Sequence, residues 1–421
     1  MPWKESCAVD QRMRLVAEYE LDELSMAELC RKYGVSRKTA YKWLARVARE
    51  GLDGLKDHSR APRHHPNEVA AEIEQAVLGL RAAHPTWGPK KLLRRLQNGD
   101  SDRAWPARST IAELLRRRGL VVPRKRRRRV PPHEHPFASC QGSNAVWCVD
   151  FKGWFRTGDG QRCDPLTISD AFSRYLIRCQ AVPNTGLDGV QPLFEAAFRE
   201  YGLPGAIRSD NGAPFASHGI GGLSRLSVWW IKLGITPERI EAGKPQQNGR
   251  HERMHLTLKK ETASPPAATI RSQQRRFDAF RREFNQERPH EALDLATPAS
   301  QYECSPRPYP PRMPEMTYPS EWDWRVVRPC GQVRLRGRQF FLGEALIAEV
   351  VGLEPVDGRY WRAHFGPVAL GIYDEHRGRV LRPWEVRQAG LAVAPIAGKP
   401  PSATLQEASP QSPNVLPMCL D

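Results

Sequence analysis

Apolar positions change their spacing along the chain, and each spacing predicts a different kind of structure. From residue 10 to 50 they recur at helical intervals and predict three helices. "SMAEL" places Ser25 and Glu28 at capping-box spacing, so a helix starts at Ser25 and runs to about Tyr33; Gly34 supplies a turn and Ser36 caps the next helix. In that helix Ala40, Leu44 and Val47 recur at i, i+4 and i+7 and face inward, leaving Arg37, Lys38, Tyr41 and Lys42 outside. This is helix-turn-helix spacing. A second set follows, with Val69, Ile73, Val77 and Leu80 on one stripe, then "TWGPKKLLRRL" and "ARSTIAELLRRRGL", where Gly119 is the expected C-cap.

From Ala145 the period falls to two. "AVWCVDFKGWF", "PLTISD" and "RYLIRCQAV" read as strands, residues 187–201 as a helix, and "GAIRSDNG" as a short strand carrying Asp210 into an Asn-Gly turn. A helix near Leu223 to Leu233, the strand "ITPERI" and a helix through Lys260 complete the set. "ECSPRPYPPRMPEMTYPS" is too proline-rich for a helix and predicts a stiff linker. Beyond it, short alternating runs with Gly-rich turns predict a small β-barrel, on which Arg325, Arg334, Arg336 and Arg338 could form one basic face.

Charge narrows the partner. The 421 residues carry 64 Lys+Arg against 47 Asp+Glu, a net +17, and residues 1–130 hold +13 of it (29 against 16). A balance so lopsided favours a polyanion, and nucleic acid leads. The outward residues Arg37, Lys38, Tyr41 and Lys42, with Arg108, are therefore candidate DNA contacts. So are Arg126 and Arg127, in the run "RKRRRR", which is too dense in like charge to fold by itself and tracks phosphates. No apolar run approaches the ~18 to 20 residues that span a bilayer, and "MPWKESCAVDQ" lacks a signal-peptide stretch. Nine scattered cysteines without a C-x-x-C pair argue against a disulfide framework and against zinc, and leave His64 and His65 as solvated loop residues.

The acids narrow the chemistry. Asp150 in the first strand, Asp210 at the end of the fourth and Glu252 on a later helix have the order of a ribonuclease-H-like fold. "WCVDFKGWF", "DAFSRY", "SDNGAPFAS", "GKPQQNGRHERMHLTLKKE" and "FNQERPHEALDLATPASQY" resemble the integrase core of DDE transposases of bacterial insertion sequences, notably the insertion-sequence 481 group, and more distantly retroviral integrases. The motifs cover roughly residues 140 to 302, and the flanking modules extend the resemblance over nearly the whole chain. One departure is the interval of 42 from Asp210 to Glu252, where many members have about 35; a lengthened "SHGIGGLSRLSVWW" could absorb it.

The resemblance implies that Asp150, Asp210 and Glu252 are catalytic and hold Mg²⁺ or Mn²⁺, two ions being expected, while Lys244, Asn248 and Lys259 face the DNA. Elementary chemistry agrees, since breaking and rejoining phosphodiesters needs an activated oxygen and neutralised phosphate charge, and clustered carboxylates suit hard cations. Asp170 reads as a structural strand-end residue, and Arg288 mainly as helix packing. The expected layout is multidomain: 1–60 a helix-turn-helix domain, 61–130 a second with a basic linker, 131–305 an α/β ribonuclease-H-like core with a mixed sheet, 321–385 a small β-barrel that binds DNA or another subunit, and 386–421 a disordered tail. The expected protein is a transposase acting on double-stranded DNA in the bacterial cytoplasm at the nucleoid, as a homo-oligomer when two ends are paired. The alternatives are a catalytically idle, domesticated DNA-binding regulator and a structure-selective nuclease, the latter disfavoured by two sequence-reading modules.

Overall fold

The structure, a computed structural model, describes residues 7–58, 68–121, 140–182, 184–217, 219–240 and 249–391, except the side chain of Arg250. The chain divides into two compact units, Met1–Ala70 and Ala71–Asp421. No helix among the described residues is long and apolar enough to cross a membrane.

In the first unit α1 (Ala8–Glu20), α2 (Met26–Tyr33) and α3 (Arg37–Glu50) begin and end where their caps dictate. The Ser25 N–H donates to Glu28 at 2.9 Å, and Gly34 takes a left-handed φ of 63° to end α2. The Thr39 N–H donates to Ser36 Oγ at 3.2 Å and opens α3. The inward face of α3 differs in detail from the expected stripe. Ala40 is fully buried, but the larger anchor is Trp43, which packs with Val16 and Leu55 under the Arg12 guanidinium 3.9 Å away, while Leu44 and Val47 are half-buried beside it.

In the second unit α4 (Ala71–Ala83), α5 (Pro89–Gly99) and α6 (Arg108–Arg117) close around Val77, Trp87, Leu92, Ile111 and Leu114. Gly119, at φ 68°, closes α6 as expected, its N–H donating to the Arg116 carbonyl at 3.0 Å. A six-stranded sheet follows: β1 (Val146–Phe151), β2 (Phe155–Arg156), β3 (Arg162–Asp170), β4 (Leu176–Val182), β5 (Ala206–Ser209) and β6 (Thr236–Arg239). Its order is β2-β3-β1-β5-β6, with β4 also on β3; β1 runs antiparallel to β3 and parallel to β5, so the sheet is mixed, of the ribonuclease-H-like kind. The run "AVWCVDFKGWF" is two strands rather than one, because Gly153 at φ 83° breaks the extension between them.

Helices α7 (Leu187–Tyr201) and α8 (Arg225–Lys232) bury Phe194, Phe198, Leu226 and Trp230 with Trp147, Val149 and Ile207 of the sheet. Truncating any one of these aromatics to alanine should cost about 3–5 kcal/mol. Helices α9 (Gly249–Thr262) and α10 (Ile270–Arg282) contribute Met254, Leu258, Phe277 and Phe280 to a separate cluster with Cys163, Leu176 and Cys179.

The helical set 71–121 is part of this unit and not an independent body. His84 Nδ1 lies 3.0 Å from a Glu283 carboxylate oxygen, Arg95 pairs with Glu287 at 3.5 Å, and Thr86 bonds Glu261. Buried Trp87 stacks on the His84 ring at 3.9 Å, and the Arg288 guanidinium lies 5.9 Å from its centroid. The linker after the core is likewise strapped down: the Leu203 N–H donates to the Arg307 carbonyl at 2.7 Å, and Arg307 donates to the carbonyls of Pro204, Leu233 and Gly234. Proline-rich chain offers few N–H groups, and one guanidinium makes up the bonds.

The tail holds β7 (Asp323–Val326), β8 (Gln332–Leu335), β9 (Arg338–Phe341), β10 (Val350–Pro355), β11 (Tyr360–Phe365), β12 (Val368–Asp374), β13 (Arg379–Val380) and α11 (Pro383–Gln388). The expected barrel is not closed among the described residues. The strands form an open antiparallel sheet, β13-β12-β11-β10-β7, and a separate β8-β9 hairpin. Closure needs a full ladder between edges, and β13 offers only two residues. Its apolar face packs on α8 through Val228 and Ile231, and Lys232 pairs with Glu349 at 2.9 Å. The lengthened segment before α8 joins this contact, because Ile220 packs there too and a Cβ on Gly221 would stand 3.1 Å from Leu370 Cδ2. Of the four arginines, Arg334 is exposed, Arg325 pairs with Asp323, and Arg336 and Arg338 engage Glu375. Disorder from 386 does not hold for residues 386–391, where Val386 and Leu391 pack with Ile372 and Leu381; the rest of that tail lies outside the described residues.

Candidate functional site

Asp150 is the fifth residue of β1, between Val149 and Phe151, whose side chains belong to the core cluster under α7 and α8. Strand alternation therefore turns Asp150 to the opposite face, toward α9. β5 runs parallel to β1 with Cys148 opposite Arg208, so two residues on, the register brings Asp210 out beside Asp150. A tight turn holds Asp210: the Gly212 N–H donates to Oδ1 at 3.1 Å, and a Cβ on Gly212 would stand 3.2 Å from Oδ2. Glu252 lies in the first turn of α9 and is exposed. The buried face of that helix is His251, Met254, His255, Leu258 and Thr262. Leu256, four residues on from Glu252, is 55% exposed, because the helix is held from its other side.

The acids interact. Burial pushes the Asp150 carboxyl up to about 7, helped by repulsion from Asp210 and Glu252 and opposed by the Phe151 N–H and by Lys152. Hard oxygen donors whose charges repel one another suit a divalent cation such as Mg²⁺ or Mn²⁺. The three do not converge as they stand: among the described residues no group of three or more His, Cys, Asp or Glu is gathered to hold one ion.

Behind Asp150 lies a polar network that motif and spacing do not announce. Thr167 is directly opposite Asp150 in the β1–β3 register and donates its hydroxyl to the Asp150 carbonyl at 3.1 Å. Its Oγ1 lies 2.6 Å from His251 Nε2 and 2.7 Å from His255 Nε2. A hydroxyl has one proton and two lone pairs, so with the proton given to Asp150 both rings must donate from Nε2. His251 Nδ1 then accepts from Ser169 at 3.1 Å, and His255 Nδ1, without a proton, faces Asp150 Oδ2 at 3.7 Å. Burial drives both imidazoles down, His251 to about 3 and His255 to about 2, so they stay neutral. The one sequence signal for them is that "RHERMH" brackets Glu252 with histidines four residues apart, on one helix face.

Asp164, Asp170 and Glu261 have internal partners. Asp164 is paired with Arg162 at 2.7 Å, and buried Asp170 accepts from the N–H groups of Asn144 and Ser173. Glu261 pairs with buried Arg288 at 2.9 Å, which gives Arg288 an internal partner. Arg37, Lys38, Tyr41 and Lys42 are all exposed on α3, Arg108 is exposed at the start of α6, and Lys259 is exposed on α9. Arg126, Arg127, Lys244 and Asn248 lie outside the described residues.

Comparisons agree with this architecture. Residues 141–245 match a family model described as an integrase core domain, and 233–298 match a second of the same description. Residues 11–63 match a helix-turn-helix domain, and 39–115 a homeodomain-like domain. An uncharacterised 31.7 kDa protein of insertion element IS407 from Burkholderia multivorans is 29% identical over 278 residues, 65% of this chain and 93% of that protein. An uncharacterised protein of insertion element IS136 from Agrobacterium fabrum is 32% identical over 171 residues, 37% of this chain and 81% of that protein. The magnesium complex of the HTLV-2 integrase catalytic core, in its trimeric form, aligns at 15% identity over 39% of this chain and 99% of that one, with a TM-score of 0.31. The chain thus belongs to the transposase/integrase family of bacterial insertion elements, with helix-turn-helix domains ahead of an integrase core.

Proposed function

We propose that the protein is an active transposase that binds the terminal inverted repeats of its element, hydrolyses phosphodiester bonds at the ends and joins the freed 3′ hydroxyls to target DNA. The observation that carries this reading is the parallel β1–β5 register, which brings Asp210 out beside Asp150, with Glu252 in the first turn of α9. Clustering like charges costs stability, and a divalent cation offsets that cost.

In this reading Asp150, Asp210 and Glu252 are the catalytic ligands of Mg²⁺ or Mn²⁺. Two such ions, when bound, supply nucleophile activation and stabilisation of the leaving oxygen. Thr167, held by the two histidines, fixes the backbone at Asp150. Lys259, exposed on α9 beyond Glu252, meets the DNA backbone, as do Lys244 and Asn248, while Arg126 and Arg127 track phosphates between modules. Residues 1–60 and 61–130 read the ends through α3 and α6, 131–305 perform the chemistry, and the 321–385 sheet binds DNA or a second subunit. Pairing two ends requires a homo-oligomer, and the protein acts at the bacterial nucleoid.

The direct test is strand transfer by purified protein on duplexes copied from the DNA flanking the gene, with Mg²⁺ or Mn²⁺ and again in chelator. Ends bound but never cut, with either metal, would favour the second reading, an idle DNA-binding regulator. That reading draws on the absence of a gathered metal cluster among the described residues.

A further inference from the structure

Trp154 is 57% exposed, four residues past Asp150. Scattered exposed apolar residues are ordinary, but this one is framed. Arg162 lies 5.2 Å and Arg156 5.8 Å from its ring centroid, on the two strands of the β2–β3 hairpin where they pair with each other. Both guanidinium groups are tethered, Arg162 to Asp164 at 2.7 Å and Arg156 to the Gly160 carbonyl at 2.8 Å. Phe155 packs inward against the α10 cluster, which leaves Trp154 and Arg156 turned outward. Between Asp150 and Trp154, Lys152 is close enough to lower the Asp150 carboxyl, so this segment borders the acids.

We propose that Trp154 is a stacking platform for an unpaired nucleobase of the DNA end, with Arg156 and Arg162 holding the adjoining backbone. An aromatic face set among cations is the combination that binds single-stranded nucleic acid without regard to sequence. Four extended residues reach at most about 14 Å, so at ~3.4 Å per nucleotide along one strand the base lies within about four nucleotides of the cleaved phosphate. The cations make a nucleic acid the fitting occupant, where an apolar protein segment would cover the Arg156 guanidinium, whose partner here is only the Gly160 carbonyl, without a counter-charge. The position of the cleaved phosphate rests on the reading of Asp150, Asp210 and Glu252 given above.

The test uses the full chain and duplex copies of the element's end, either fully paired or mismatched at the four nucleotides beside the cleavage point, with 2-aminopurine placed at each in turn. Trp154→Ala should lower strand transfer on paired ends about tenfold or more and recover on mismatched ends. Trp154→Phe, which keeps an aromatic face, should retain most of the paired-end activity. Wild-type protein should change 2-aminopurine fluorescence at one position on binding, and Trp154→Ala should not. Unaltered transfer by Trp154→Ala, an equal deficit on paired and mismatched ends, or a preserved 2-aminopurine response would overturn the proposal. An Asp150→Asn control separates the two readings: if it transfers normally the carboxylate assignment fails, while the fluorescence response still decides whether Trp154 stacks.

Discussion

Thr167 on β3 donates its hydroxyl to the carbonyl of Asp150, directly opposite on β1, at 3.1 Å. The same oxygen receives His251 and His255 from α9, so one side chain ties both strands to the helix that carries Glu252. Thr167→Val keeps the shape and removes the acceptor, leaving two buried imidazole N–H groups without a partner. At ~1–3 kcal/mol for each unsatisfied group, the variant should lose about 2 kcal/mol or more, visible as a lower thermal midpoint, with strand transfer falling alongside. Thr167→Ser should stay near wild type. An unchanged midpoint in the valine variant would remove Thr167 as the hub.

Asp150→Asn should abolish end cleavage and strand transfer while leaving end binding intact, since a neutral amide is a poor bridge between metal ions. Gel-shift and cleavage assays on the same duplex separate the two. Cleavage that persists would take Asp150 out of the site, and buried, paired Asp164 and Asp170 could not replace it without unfolding their surroundings.

Glu252→Gln should eliminate both reactions, whereas Glu261→Gln should keep most activity at low temperature. The Glu261 carboxylate is occupied with Arg288 and Thr86, so its loss should appear as a lower thermal midpoint, by roughly 1–3 kcal/mol of stability. Glu241, eleven residues before Glu252, lies outside the described residues; its glutamine variant is expected to cut normally.

Arg37→Ala with Lys38→Ala should weaken end binding several-fold and flatten its salt dependence by about two phosphate contacts, at ~0.9 per contact in the log–log slope. The side chains are exposed, so stability should not change. A titration of affinity against salt with the same slope as wild type would show that another helix reads the end.

Glu385 accepts from Arg377, Arg379 and the Arg382 N–H, and the Arg379 bond leads in holding its carboxyl down at about 2. A depressed acid contributes stability that is present above its unfolded value of 4.5 and lost as pH falls toward 2. The drop in thermal midpoint from pH 5 to pH 3 should therefore be smaller in Glu385→Gln than in wild type. Equal drops would mean that these bonds do not couple to folding.

Local chemistry settled a large part of this protein in the sequence alone. Ser25 with Glu28, Ser36, Gly34 and Gly119 end their helices where the sequence places them, because a cap is made within three or four residues. Period-two runs likewise mark the core strands, and the acid order is the ground on which Asp150, Asp210 and Glu252 are proposed. Partners distant in sequence were decided only by folding. Thr167 meets His251 and His255 across 84 and 88 residues, Glu283 meets His84 across 199, and Arg307 straps down a segment that composition alone describes only as a stiff linker. The inward side of α9 was also a tertiary matter. A helix exposes every residue to some direction, and only the sheet beneath it determines that two histidines go in and Leu256 stays out.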